Sequence, residues 1–237
     1  MRLRRPTCDL SPTVGRHILV HGDSTSIRFS PTASLILTCP PFFHPRRKSS
    51  PHGHSPRIHD LDEFALWTAH VLERASASLS AEGLLCFVKT DVRYRRGLLP
   101  VGFRIADALS KRGLRLRAHW VWQRQPSYSP YAPGIGNIFV FGNRVSPLQS
   151  GGLFLGREVN LRRGQSTSFT PGLFEALLRN LTQPDDTVVD PFAGQGSLIR
   201  AAASCGRWTA GVEISRRQIL KAEAQLAAVP CLEVCRS

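Results

Sequence analysis

The segment Thr187-Val-Val-Asp-Pro-Phe-Ala-Gly-Gln-Gly-Ser197 decides the fold. Three β-branched residues run into Asp190, the pattern of a buried parallel strand. A tight turn carrying Gly194 and Gly196 follows. Ser197-Leu-Ile-Arg-Ala-Ala-Ala-Ser-Cys205 then reads as a helix packed closely on the sheet. Glycines at such a turn let a ligand approach the backbone, and the helix N-terminus offers N–H groups with no partner inside the helix. A second strand, Trp208-Thr-Ala-Gly-Val-Glu-Ile214, ends on Glu213. An acid at the tip of the second strand is placed to accept hydrogen bonds from a ribose. Geometry of this kind indicates a nucleotide-like ligand and says nothing yet about chemistry.

The wording of the segment is more specific. Asp190-Pro-Phe-Ala-Gly-Gln-Gly-Ser197, with Gly206, Arg207, Gly211 and Glu213, resembles the S-adenosylmethionine site of DNA amino-methyltransferases, usually written DPFxGSGT. Gln195 replaces a small residue and Ser197 replaces Thr. Both glycines and the acid are kept. The resemblance implies that Asp190, Pro191, Phe192, Gly194, Gly196, Ser197 and Glu213 contact the cofactor.

A second signature lies far upstream. Ala33-Ser-Leu-Ile-Leu-Thr38 is an apolar strand that ends in Cys39-Pro-Pro-Phe42-Phe43. Two prolines after a strand fix the backbone and stop the ladder, so their carbonyls are expected to be free to point into a cleft. The same family carries Asp, Asn or Ser, then Pro-Pro, then an aromatic residue, at this place. The chemistry explains the pattern. An exocyclic base amine is conjugated with its ring and is a poor nucleophile. Acceptors on the first side chain and the first proline carbonyl draw its protons, while the aromatic ring stacks on the extruded base. By this resemblance Cys39, Pro40, Pro41 and Phe42 are catalytic and Thr38 borders the cofactor. A thiol is a weaker acceptor than a hydroxyl. Thr38-Cys39-Pro-Pro-Phe42 is nearest the TSPP-aromatic form that accompanies cytosine-N4 methylation. Adenine N6, an RNA substrate and an inactive nucleic-acid-binding relative stay open as alternatives.

Gly22-Asp23 stands directly after the strand His17-Ile-Leu-Val-His21. Asp23 either helps hold the cofactor's adenine side, as the resemblance implies, or caps a turn. Phe169 and Thr170, just before a helix opened by Pro171, are implied to lie beside the methionine end of the cofactor. Thr170 is equally placed as an N-cap.

The remaining chain fits one α/β domain. Its 237 residues can bury a sizeable core, and a net charge of +14 favours a polyanionic partner such as DNA. Helices are expected from Asp60 to about Leu79, from Gly102 to Arg112, from Pro171 onward, and from Ser215 to Ala228. Gly83 to Val88 reads as a central strand. Leu114–Gln123 and Gly136–Phe141 resemble the hairpin that closes the methyltransferase sheet. The loop from His44 to Arg57 is rich in Pro, Ser, His and Arg and could grip phosphates. Tyr128 and Tyr131 stand in a turn-rich segment that could touch the flipped base. The six cysteines show no CxxC pair, which suits a reducing compartment, with Cys86 and Cys205 expected in the core. No metal is expected, and no apolar run approaches the ~18 residues of a membrane span.

The proline signature precedes the glycine signature, an order that resembles the circularly permuted beta group of these enzymes. The expectation is a Rossmann-like methyltransferase fold with a mostly parallel central sheet. Residues 1–16 would be a basic arm and 17–237 a catalytic domain, with a short recognition region near 144–168. The resemblance further implies S-adenosyl-L-methionine as cofactor and DNA as partner. It also implies a monomer or homodimer, a cognate restriction endonuclease as a candidate partner, and a cytoplasmic, prokaryotic or phage-encoded setting.

Overall fold

The computed structural model describes residues 9–10, 15–29, 32–45, 58–95, 97–123, 135–142, 153–155 and 171–236. The first half gives strands β1 (Asp9–Leu10), β2 (His17–His21), β3 (Arg28–Phe29) and β4 (Ala33–Thr38), helix α1 (Leu61–Ser76), strands β5 (Leu79–Lys89), β6 (Val92–Tyr94) and β7 (Gly97–Leu99), and helix α2 (Val101–Lys111). The second half gives β8 (Leu116–Gln123), β9 (Ile135–Gly142), β10 (Leu153–Leu155), α3 (Pro171–Leu181), β11 (Thr187–Asp190), α4 (Ser197–Ser204), β12 (Trp208–Glu213), α5 (Arg216–Leu226) and β13 (Leu232–Arg236).

Among the described residues nine strands form one sheet in the order β10-β8-β9-β5-β4-β11-β12-β2-β13. Within it β9 alone runs against its neighbours, pairing antiparallel with β5 and β8. The sheet is therefore mostly parallel and closed at one side by the expected hairpin. The segment that decides the fold, now β11, lies between β4 and β12. Val188 and Val189 pair with Leu35 and Ile36 on one side and with Thr209 and Ala210 on the other. All four β11 residues are buried, as a parallel strand covered on both faces requires.

Alternation along β4 divides the core. Ile36 points into a cluster with Leu72 of α1, Ile105 of α2, Phe87 and Phe139. Leu35 and Leu37 point the other way, to Leu177 of α3 and Leu198 of α4. Each such fully buried side chain stabilises the fold by about 1.5–3 kcal/mol. A third cluster seats Ile219, Ala222 and Leu226 of α5 against Leu19 and Ile199. These three layers put helices on both faces and leave the carboxyl ends of β2, β4, β5, β11 and β12 along one edge.

Element limits differ from expectation in places. Helix α1 stops at Ser76 rather than Leu79, because Leu79 opens β5 and pairs with Ala33. Its start is as expected: the Asp60 carboxylate accepts from the Glu63 N–H at 2.8 Å. The chain does not finish on its last helix. Leu232–Arg236 returns as β13, parallel to β2, and Leu232 and Val234 pack on the α5 cluster. Asp9–Leu10, expected in a basic arm, pairs with Arg28–Phe29. Cys86 is fully buried, whereas Cys205 is only partly so. Among the described residues no helix is long and apolar enough to cross a membrane.

Gly196 caps α4 with φ 77°, in the left-handed region. A Cβ there would meet Leu226 Cδ1 at 2.5 Å. Gly113, which ends α2 with φ 90°, has nothing within 4 Å of the same position. Replacing Gly113 by Ala is expected to cost about 1 kcal/mol through backbone strain alone. Gly196→Ala adds a clash and should cost about 2–4 kcal/mol. Urea unfolding of the two variants beside the native protein measures the difference.

Candidate active site

The two signatures meet through a buried hydrogen bond. Thr38 Oγ1 donates to Asp190 Oδ1 at 2.5 Å across 152 positions of sequence. The Phe192 N–H donates to the same oxygen at 3.0 Å. Asp190 is 4% exposed. Burial pushes its carboxyl up to about 7; the two hydrogen bonds pull the other way, and the negative charge of Glu213 adds to the rise. Desolvation therefore outweighs the donors.

The glycine turn is tied to the end of β12. The Ala193 N–H donates to Val212 O at 2.9 Å. The Glu213 carboxylate accepts from the Gly194 N–H at 2.9 Å and from the Ser215 N–H at 2.7 Å. Glu213 thus braces the turn from the tip of β12. A Cβ on Gly211 would meet Ala193 Cβ at 2.9 Å, so glycine there lets the turn lie against the strand. Gln195 accepts from Gln225 of α5 at 2.9 Å. Ser197 is the first residue of α4.

Gly22 and Asp23 join the same edge. The Gly22 N–H donates to Glu213 O at 3.0 Å, and Ser24 Oγ donates to Pro191 O at 2.5 Å. Asp23 closes its own turn, accepting from the Thr25 N–H at 2.9 Å and the Thr25 hydroxyl at 2.8 Å. The capping role is therefore present.

The proline segment departs from expectation in one respect. The carbonyls of Pro40 and Pro41 are not free: Lys89 Nζ donates to Pro40 O at 3.0 Å and also to Pro41 O. Lys89 closes the apolar run of β5 and is 1% exposed. Among the described residues no carboxylate pairs with it, so its ammonium is satisfied by carbonyls instead. Burial lowers its pKa to about 8, opposed by the charge of Cys39. The Cys39 thiol donates to Pro40 O at 3.8 Å. Phe42 is 37% exposed, with the Lys89 nitrogen 5.2 Å from its ring centre.

Rings connect this segment to the glycine turn. Phe43 meets Phe64 at 5.2 Å, Phe64 meets Trp67 at 5.9 Å, and Trp67 meets Phe192 at 5.8 Å. Sequence reasoning does not foresee this bridge. It misses Lys89 as well; the available signal was a lysine ending an otherwise unbroken apolar run. Phe169, Thr170, Tyr128, Tyr131, the loop over 46–57 and residues 144–168 apart from 153–155 lie outside the described residues.

Known proteins share parts of this arrangement. A family profile described as DNA methylase matches residues 135–224, which hold β9, α3, the glycine turn, β12 and most of α5. No curated protein sequence matches the chain significantly. Solved structures share the fold. A Thermus thermophilus protein assigned provisionally as a DNA modification methylase, complexed with S-adenosyl-L-methionine, superposes with TM-score 0.70 at 23% identity, covering 93% of this chain and 98% of that one. PvuII DNA methyltransferase, cytosine-N4-specific, gives TM-score 0.69 at 18% identity over 89% of each chain. M1.HpyAVI in its SAM complex gives 0.62 at 17% identity, covering 88% of this chain and 98% of that one. The architecture is thus the methyltransferase fold.

Asp190 carries a pH signature. Its folded-state pKa of about 7 lies above the ordinary 3.8, so burial favours the protonated form. The stability it contributes is full below about pH 4 and is lost as pH rises through about 7. Asn at this position does not titrate. The stability of the native protein relative to Asp190→Asn should fall by about 2–4 kcal/mol across that window and then level off. Denaturant melts of both proteins at several pH values read this out.

Proposed function

We propose that the chain transfers a methyl group from S-adenosyl-L-methionine to the exocyclic amine of a base in DNA, cytosine N4 being favoured. The observation that carries this reading is the Thr38–Asp190 hydrogen bond, which brings the two signature segments to adjacent strand ends. The DNA methylase profile over residues 135–224 supports the same class.

The residues present suit this cofactor. Asp190 is a buried carboxylate raised by desolvation, a group that a cationic ligand stabilises. Gly194 and Gly211 keep the turn free of side chains that would fill it, and the Glu213 carboxylate stands at the tip of β12. Asp190, Pro191, Phe192, Gly194, Gly196, Ser197 and Glu213 would hold the cofactor from the glycine side, with Asp23 and Thr38 beside them. Phe169 and Thr170 would complete the methionine end. When bound, the cofactor supplies a sulfonium methyl group.

The chain's own residues handle the amine. The Cys39 sulfur and the Pro40 carbonyl would accept its hydrogens, and Phe42 would stack on the base turned out of the helix. Alignment of the amine with the methyl carbon supplies much of the acceleration. The net charge of +14 would hold phosphates, and residues 144–168 would contribute recognition. The preference for cytosine rests on the likeness of Thr38-Cys39-Pro-Pro-Phe42 to the TSPP-aromatic form.

The test is methyl incorporation from labelled S-adenosyl-L-methionine into plasmid DNA and into RNA, followed by mass spectrometry of the nucleosides. N4-methylcytosine in DNA is expected. N6-methyladenine would move the assignment to adenine, and label in RNA alone would move it to RNA. Activity gained only on Cys39→Ser would mark an inactive relative. No incorporation, with no heat on titrating the cofactor, would end the proposal. Phe42→Ala is expected to lower kcat/KM on DNA by about tenfold or more while cofactor affinity stays within about twofold, because the ring meets the base.

A further inference from the structure

The chain that leaves β5 does not continue in the main sheet. Among the described residues β6 and β7 form a sheet of their own, a two-stranded antiparallel ribbon. From Val92 to Pro100 the sequence carries three arginines and no acid. Arg93 and Arg95 are exposed. Among the described residues neither has an ion-pair partner, whereas Arg16, Arg104, Arg112 and Arg179 each meet a carboxylate. Asp91, the acid nearest the ribbon in sequence, accepts from Asn137 Nδ2 at 3.4 Å. Leu98, opposite Arg93 in the ladder, is 52% exposed.

The tip of the ribbon is strained. Tyr94 pairs with Gly97, so the chain reverses within two positions. Tight turns of this kind use positive φ, which Asn and Gly adopt at little cost. Arg95 stands there instead, with φ 54°. A longer side chain in the left-handed region costs stability. Its guanidinium lies over the neighbouring Tyr94 ring, 5.3 Å from the centre, at the surface rather than in the core. A local cost at an exposed tip points to a contact made outside the chain.

The place of the ribbon follows from β5. Lys89 ends that strand and donates to the carbonyls of Pro40 and Pro41, so the ribbon starts just beyond the segment that carries Phe42. Arg95 is six positions past Lys89, which bounds their Cα separation at roughly 22 Å. A duplex that presents a base at Phe42 carries a phosphate charge for every ~1.7 Å of its axis, so its backbone falls within that reach. A two-stranded ribbon also has the width that the major groove admits.

We propose that the β6–β7 ribbon is a DNA-docking element in which Arg93 and Arg95 hold phosphates beside the target base and Leu98 lies against the adjoining sugars. The inference deepens the methyltransferase reading and rests on it for the position of the DNA. Arginine suits the task because its planar fork meets two phosphate oxygens at once. Such contacts fix the register of the duplex without reading its sequence.

The experiment is fluorescence anisotropy of a labelled duplex with the full chain, from about 50 to 200 mM salt. The double variant Arg93→Ala, Arg95→Ala is compared with Arg74→Ala, Arg115→Ala. The second pair removes the same charge from exposed arginines at the other edge of the sheet, in the last turn of α1 and just before β8. The ribbon variant should bind about tenfold more weakly or worse at the higher salt, on unrelated sequences alike, and its log–log salt slope should shrink by roughly 1.8. The control should stay within about threefold of native. Arg95→Gly separates binding from folding: it relaxes the turn, so it should melt no lower than the native protein while losing about threefold in affinity. A ribbon variant with native affinity and slope overturns the proposal, as does a control that loses as much. A native protein that binds no duplex overturns it too, and a loss confined to labelled RNA overturns DNA as the partner. The methylation assay separates the two readings. Ribbon-dependent DNA binding by a protein that methylates no nucleic acid leaves the docking element standing and removes the reaction. DNA methylation by an enzyme whose Kd ignores the ribbon does the reverse.

Discussion

The hydrogen bond between Thr38 and Asp190 joins the last residue of β4 to the last residue of β11. It exists because those strands are parallel neighbours, and parallel neighbours release their following loops at the same edge. Both signature segments hang from this pair of strand ends. The glycine turn leaves from one and the proline segment from the other. The rings of Phe43, Phe64, Trp67 and Phe192 then span the gap behind them. Asp190 also accepts from the Phe192 N–H, so one oxygen sets both the strand pairing and the first step of the turn.

The charges along this edge are buried before any ligand arrives. Asp190 and Lys89 are each almost wholly out of water, and burial drives both toward neutrality from opposite directions. Glu213 is nearly as buried, yet its oxygens are met by two backbone N–H groups from the turn and the following loop. Such groups are costly in a fold with nothing to bind. Their concentration at one edge marks where stability is given up for preorganised polarity.

Much of this was legible in the sequence for definite physical reasons. Thr187 to Asp190 is short, β-branched and followed by glycines, which leaves little besides a buried strand and a ligand-facing turn. The helix starts at Asp60 and Pro171 were legible from local chemistry. What escaped depends on contacts between distant segments. Nothing adjacent to Lys89 says that two proline carbonyls will meet its amine. Leu232 to Arg236 mixes charged and apolar residues too briefly to announce a strand, and only the open edge of β2 makes it one. Cys205 looks buried by its neighbours, yet it ends α4 where the chain turns outward.

The strand order has a consequence for how the chain is born on the ribosome. β2 lacks both sheet neighbours until β12 and β13 have been made, and β4 keeps one side open until β11 emerges 152 positions later. At ordinary elongation speeds that gap lasts roughly ten to thirty seconds. For that interval the nascent polypeptide displays apolar ribbons with unused N–H and C=O groups, the kind of surface that chaperones grasp and that sticks to its own kind. Permuting the order of segments leaves the finished sheet unchanged, but it postpones the keystone to the final third of translation.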